Sequence, residues 1–282
     1  MRKSIVLLLA LTLLCAALAG CGAQAQDAPQ GAAGPVELVV FAAASLKETL
    51  TAVGEQYKTV APNVTLQFNF DSSGTLKTQI AEGADCDLFI SAAPRQMNAL
   101  DGALKGDADK NPDGLDLLLP GSRVDLLENK VALVVPAGDP KGVESFADLA
   151  EKLQQGGVLL AMGNSDVPVG QYTQKIFAFY GLDEAALAAS GVLTYGGNVK
   201  EVVTQVAEAA ADCGVVYATD AFSAGLIVVD TATAEMCGQV IYPASVLAQS
   251  AHAAEAQAFL DYCRGAEASA IFESVGFTSL QK

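Results

Sequence analysis

The sequence predicts an α/β fold in which short apolar strands alternate with amphipathic helices. Three observations point there. VELVVF at 36–41 is an apolar run of strand length, and Leu46, Leu50, Val53 and Tyr57 follow it at helical spacing. The same change of period, from two to 3.6, recurs along the chain. No internal repeat and no P-loop or dinucleotide-type glycine fingerprint offers a rival organisation. Strands that alternate with helices pack as layers around a shared core.

The elements follow in order. Val64, Leu66, Phe68 and Phe70 alternate with polar residues, as on a strand with one covered face. Leu76 and Ile80 restart a helical stripe. DLFIS at 87–91, KVALVVP at 130–136 and Val158 to Met162 read as buried strands. Tyr172, Ile176 and Phe179 form one helical face, and Val199, Val202, Val203 and Val206 another. GVVYA at 214–218 is a strand, as is the run from Ile241 to Leu247. Ala253 to Tyr262 and Ala266 to Phe272 close the chain as helices.

The N-terminus has a different character. Arg2 and Lys3 precede an apolar run from Ile5 to Leu18 that only Thr12 interrupts. That run is short for a bilayer span and suits the apolar region of a signal peptide, residues 1–20. Leu18-Ala19-Gly20-Cys21 resembles the lipobox of bacterial lipoproteins, which implies lipid on Cys21 as the first mature residue. Residues 21–35 then read as the lipidated cysteine and a flexible tether rich in Gly, Ala and Pro.

The 282 residues carry a net charge of −16, and removal of Arg2 and Lys3 takes it to −18. Such a surface is a poor partner for nucleic acid, whose phosphates need clustered Lys and Arg. Any anion must therefore be held by local dipoles. Beyond Cys15 and Cys21, four cysteines remain: Cys86, Cys213, Cys237 and Cys263. Export permits disulfides among them, in three full pairings, and four buried thiols are the other reading. Their spacing matches no zinc site, and His252 is the sole histidine.

The chemistry concentrates where strands hand over to helices. Ser45 precedes a helical stripe with Glu48 three residues on, a capping-box spacing. Asp71-Ser72-Ser73-Gly74-Thr75 places three hydroxyls around a glycine at a helix start. Asn164 to Gly170 carries Pro168 where a first helical residue is welcome. Gly196-Gly197-Asn198-Val199, with Glu201, repeats the capping pattern, and Tyr217-Ala218-Thr219-Asp220 leaves a buried strand. A helix start offers unpaired N–H groups and partial positive charge, so several that converge can desolvate an anion without any Lys or Arg. In open α/β sheets such junctions gather at the carboxyl ends of the strands. Lys47, Lys77 and Lys200 lie inside their helices and are expected to act only through weak, screened attraction.

FAAASL at 41–46, SSGTLKTQI at 72–80, DLFISA at 87–92, DVPVGQY at 166–172, GVVYATDA at 214–221 and GFT at 276–278 occur in order. Together they resemble the molybdate-binding proteins of ABC-type transporters, the ModA family, over residues 36–282. The resemblance implies a two-lobed periplasmic-binding-protein-like fold of type II, with a hinge and a ligand cleft. Lobe 1 would comprise 36–128 plus 241–282, and lobe 2 residues 129–240. It implies an oxyanion site of Ser45, Ser73, Val169, Val199 and Tyr217, the valines acting through backbone N–H. Molybdenum would enter only as bound molybdate, with tungstate as a close analogue and no protein–metal ligand and no cofactor. Partners would be the permease and ATPase subunits of an ABC importer, the protein itself a monomer held at the cell membrane by its lipid. Two positions depart from the family: Gly74 stands where some relatives have serine, and Asp71 brings a carboxylate beside the serines.

Other classes remain to be weighed. A receptor for sulfate or phosphate shares the architecture, but hydrogen phosphate needs an acceptor that only Asp71 offers. A lipid-anchored hydrolase built on Ser45 or Ser73 lacks a base, since His252 lies outside every junction. An adhesion module finds no support in repeats or aromatic patches. The expectation is a binding protein and no enzyme.

Overall fold

The computed structural model describes residues 34–280. The signal segment, Cys21 and the tether up to residue 33 lie outside the described residues. Strand β1 (Val36–Ala43) runs into a single 3-10 turn (Ala44–Leu46) and helix α1 (Lys47–Tyr57). Then come β2 (Val64–Asp71), α2 (Ser73–Ala81), β3 (Leu88–Ile90), the short α3 (Pro94–Asn98) and β4 (Val124–Asn129). The chain crosses into a second sheet with β5 (Val131–Val135), followed by α4 (Phe146–Gln154), β6 (Leu160–Gly163), α5 (Pro168–Phe179) and α6 (Glu184–Ala189). There it continues through β7 (Leu193–Gly196), α7 (Val199–Ala207), β8 (Cys213–Tyr217), α8 (Ala218–Ala224), β9 (Ile227–Thr231) and α9 (Ala234–Cys237). It returns with β10 (Val240–Val246), α10 (Ala253–Cys263), α11 (Ala266–Glu273) and β11 (Thr278–Ser279).

The first sheet has six strands in the order β11-β4-β10-β3-β1-β2, and the second has five in the order β7-β6-β8-β5-β9. Both are mixed. In the first, β1 pairs in parallel with β2 and β3, while β10 runs antiparallel between β3 and β4. In the second, β6 is parallel to β7 and β8, and β5 is antiparallel to β8 and β9. The parallel strands are joined by helices, and their carboxyl ends face the space between the two sheets. This is the two-lobed α/β architecture expected of the type II binding-protein fold.

Local sequence explains most of the elements. α1 buries Leu50, Val53 and Tyr57 as a stripe, and Tyr57 packs its ring 4.9 Å from that of Phe259 in α10. Gly54 lets α1 lie close on β2: an added Cβ would stand 3.1 Å from the Phe68 ring. β5 is buried along its whole length, as a central strand covered on both faces must be. α7 starts with the predicted capping pattern. Glu201 donates its N–H to Asn198 Oδ1 at 3.1 Å, and its carboxylate accepts the Gly197 N–H at 2.7 Å.

Two expectations need correction or settling. Ser45 is not a helix cap: the 3-10 turn intervenes, α1 begins at Lys47 and no side chain caps it. The residue is buried in the turn, and its hydroxyl reaches across to Tyr242 instead. The four cysteines are buried free thiols. Burial pushes those of Cys86 and Cys213 up to about 12, so neither is a reactive thiolate.

Candidate functional site

Each strand-to-helix junction contributes differently to the space between the sheets. At the end of β2, Ser72 caps α2 by accepting the Thr75 N–H at 3.1 Å. Ser73, the first helical residue, is therefore not needed as a cap. Its Oγ accepts the Ala92 N–H at 2.9 Å, which holds the side chain still and leaves its own proton uncommitted. At the end of β6, Val167 precedes Pro168, whose missing N–H costs nothing at a first helical position. Val169 follows in the first turn of α5. Val199 opens α7. An α-helix supplies no partner for N–H groups in its first turn, so those of Ser73, Gly74, Val169 and Val199 point outward without intrahelical acceptors. Tyr217 ends β8, and its ring is wedged edge-on against Tyr172 and Tyr242, with centroids 6.4 and 5.7 Å away.

These positions meet. Ser45, Ser73, Val169, Val199 and Tyr217 all line one small cavity of about 10 Å³ between the sheets, together with Asp71 and Ser72. Every one of the five is buried. The Tyr217 hydroxyl is fully buried and makes no hydrogen bond of good geometry, with the Tyr242 hydroxyl as its polar neighbour. A buried hydroxyl left unpaired is costly, so its presence marks a place where something else supplies the acceptor. Burial also drives the Tyr217 phenol well above its ordinary range, so it remains a donor at any physiological pH. Wider grooves flank the cavity around Arg95, Lys110 and Gln171, and in contrast to the cavity their lining includes Lys and Arg side chains.

The cavity is closed by contacts between segments on opposite sheets. Asn198 Nδ2 donates to Asp71 Oδ1 at 3.4 Å, and Gln96 Nε2 to Gln171 Oε1 at 3.3 Å. Asp71 Oδ1 also accepts the Ser72 N–H at 2.7 Å, so the carboxylate that stood out in the sequence is engaged by neighbours. Gly74 lies against the backbone of Asp166, and an added Cβ would overlap the Asp166 carbonyl oxygen. The departure from serine at this position has a steric consequence: the absence of a side chain allows the close approach.

Lys200 is not the screened surface charge that its position in α7 suggests. Its ammonium bridges Glu48 of α1 at 2.7 Å and the fully buried Asp220 of α8 at 2.8 Å. Burial alone would pull the lysine down, but the two carboxylates outweigh it and hold it charged. Burial raises Asp220 to about 6, against the opposing pull of Lys200. The pair thus joins the two sides of the cleft, while the cavity lining itself contains no Lys or Arg. Among the described residues, no group of three or more His, Cys, Asp or Glu is disposed to hold a metal ion. His252 opens α10, donates its N–H to Ser250 and does not line the cavity.

Sequence reasoning missed Asn129 and Tyr242, and placed Thr219 only in the junction after β8; the three lie behind Ser45. Asn129 Nδ2 donates to Thr219 Oγ1 at 2.9 Å and to Tyr242 Oη at 3.3 Å. Nothing in a single sequence signals that Tyr242, inside a predicted strand, carries its hydroxyl to Ser45.

Comparison with known proteins agrees with this architecture. The model for bacterial extracellular solute-binding proteins matches residues 38–278. The molybdate-binding protein ModA of Mycobacterium tuberculosis is 32% identical over 268 residues, 94% of either chain. Among solved structures, the periplasmic molybdate-binding protein of Azotobacter vinelandii superposes with a TM-score of 0.70 at 22% identity, covering 86% of this chain and 98% of that one. The sulfate-binding protein SubI of Mycobacterium tuberculosis gives 0.67 at 19% identity and 87% of both chains, a likeness of fold. A match across nearly all of the described residues, together with the two-lobed fold and the enclosed cleft, makes this chain a member of the bacterial extracellular solute-binding protein family.

Proposed function

We propose that the cleft captures a fully deprotonated tetrahedral oxyanion, molybdate or its analogue tungstate, and that the protein presents it to the permease of an ABC importer. The observation that carries this reading is the unpaired, fully buried Tyr217 hydroxyl in a cavity otherwise lined by serine hydroxyls and helix starts. Apart from the Asp71 carboxylate, which is engaged by the Ser72 N–H and Asn198, the polar groups of this lining can all donate. Such a lining suits an anion that brings only acceptors, and helix N-termini stabilise its charge without a cation. The ModA relatives support the choice of molybdate. In this reading Ser45, Ser73 and Tyr217 donate hydroxyls, Val169 and Val199 donate backbone N–H groups, and the protein binds without catalysing any reaction. A ligand that touches both sides of the cleft favours the closed state because it interacts with both.

Calorimetric titration with molybdate, tungstate, sulfate and phosphate tests the reading. Molybdate and tungstate should bind tightly and phosphate poorly. Equal or tighter binding of phosphate would refute it. A second comparison separates a neutral-donor site from a charge-paired one. Ser73→Ala should cost more molybdate affinity at moderate salt than Lys77→Ala, and the reverse order would rule out the donor mechanism. We further propose that Cys21 carries the lipid that keeps the protein at the outer face of the membrane. Cys21→Ala should release soluble protein or stall processing, and full retention on membranes after signal cleavage would refute the anchor.

A further inference from the structure

We infer that the wide groove between α3 and α5 is the ligand's way in, with Arg95 and Lys175 as steering residues that draw the oxyanion to the seam of the closed cavity. The inference rests on the oxyanion reading above and concerns the rate at which the anion arrives rather than how it is held.

The groove and the cavity are separated by a seam one residue thick. Ser73 and Val167 line the cavity, while their chain neighbours Gly74 and Asp166 line the groove. Gly74 follows β2 of the first sheet and Asp166 follows β6 of the second, and no side chain fits between them. The Gln96–Gln171 hydrogen bond crosses the same seam, and both residues line the groove. Parting the two sides at these contacts joins groove to cavity. The half of the groove along α3 and α5 has a volume of about 570 Å³, against about 10 Å³ for the cavity, so an anion can reach the seam with its water still attached.

The charge pattern gives this route its direction. The chain carries 32 Asp or Glu against 16 Lys or Arg, so a dianion is repelled at a distance. Along α3 and α5 the balance is reversed: Arg95, Lys110 and Lys175 line the groove with one carboxylate, Asp109. The half toward α2 is more acidic, with Lys77 beside Glu82, Asp113 and Asp166, which leaves the α3–α5 half as the favourable approach. Lys110 is engaged by Asp107 at 2.9 Å, but Arg95 and Lys175 form no ion pair among the described residues. Lys175 is held at the groove by the Cys237 carbonyl, 3.3 Å from its ammonium, and by the Tyr172 ring, 5.1 Å away, and neither neutralises it. Arg95 stands on the first side and Lys175 on the second, so both flanks contribute charge. Neither residue lines the closed cavity, so the attraction acts on an anion in transit more than on one enclosed.

The test measures rates on the mature chain, with radiolabelled molybdate and rapid filtration. Arg95→Gln should slow association about threefold at low ionic strength, and Arg95→Gln combined with Lys175→Gln about tenfold, the size of one or two screened charges near a dianion. Release should slow in step, because a residue that lowers the barrier to entry also lowers the barrier to exit, and the Kd should change by less than about twofold. The difference from wild type should shrink as salt rises. Arg95→Lys should restore the wild-type rate, and Lys58→Gln, the same charge change outside the groove, should leave it unaltered. Unchanged association in the double variant would overturn the steering role. So would a loss that appears as faster release, since the residues would then hold the ligand. If the wild-type protein takes up no molybdate, the functional reading falls and the entry route with it. Tight binding at a rate indifferent to these charges removes the entry route alone.

Discussion

The two sides of the cleft reach the same cavity by different chemistry. On the first sheet, the junctions after β1 and β2 present serine side chains, each held by its own partner: Tyr242 for Ser45 and the Ala92 N–H for Ser73. On the second sheet, the junctions after β6 and β7 present valines, whose side chains pack into the core and leave the first-turn N–H groups facing inward. The first side therefore depends on which side chains are present, and the second, apart from the Tyr217 hydroxyl at the end of β8, on where the backbone runs. A substitution at the serines removes a donor outright. A substitution at the valines leaves the donor in place so long as the helix start does not move.

The largest expected effect strikes the contact between the sides rather than either one. Gly74→Ser should weaken molybdate binding at least a hundredfold, because its Cβ would overlap the Asp166 carbonyl oxygen when the cleft is shut. The melting temperature of the unliganded protein should barely change, since an open cleft relieves the overlap. A tenfold loss or less would mean that the closure tolerates a side chain there. Next, Ser73→Ala should cost roughly tenfold to a hundredfold, from a charged hydrogen bond of about 1.5–3 kcal/mol. Titration at constant ionic strength checks it, and a loss below threefold would move the side-chain dependence elsewhere.

Asp220 sharpens the comparison through pH. Its folded pKa is raised to about 6 from 3.8, so the folded state holds the proton more tightly than the unfolded state does. Stability from this group therefore rises as pH falls from about 6 toward 4, and is lost as pH climbs through 6. Asp220→Asn should remove that increment, on the order of 1–2 kcal/mol. Urea unfolding at pH 4.5 and 7.5 would show the wild type gaining relative to the variant at the lower pH. The smallest effect on affinity is expected from Val169→Ala, less than about twofold for molybdate, although the lost methyl groups should reduce stability by about 1–2 kcal/mol. An affinity loss beyond tenfold would show that the helix starts of the second side depend on side-chain identity as well as on the backbone.

Much of this was legible in the sequence, and the reasons differ by element. β1, β2, β5 and β8 announce themselves because central strands are apolar and β2 alternates. α1, α5, α7 and α10 carry stripes at helical spacing. β4, β7 and β9 escape notice, because short mixed strands next to turns carry no period. α4 was missed although Ser145 caps it by accepting the Asp148 N–H. The five site positions could be named because each stands at a change of period, and the family resemblance singled them out. Their supports could not. Tyr242, Asn129 and Asp220 act over separations of dozens to nearly two hundred residues, and no local spacing records a partner at that distance. Lys200 shows the same limit from the other direction. Its place one residue into α7 reads as a solvated charge, and only the packing of α1 and α8 around it makes it a bridge.

The strand order also constrains the order in which the polypeptide can acquire its shape. β10 sits between β3 and β4, so the first sheet is divided until residue 246 has arrived. The second sheet draws only on residues from Val131 to Thr231 and can be complete earlier. Assembly should therefore run middle segment first, with the N-terminal strands waiting for their late neighbour. Contacts between distant parts of a chain form slowly. The half that bears the serines is therefore complete only once residue 246 has taken its place, whereas the half that bears the valines waits for nothing beyond Thr231.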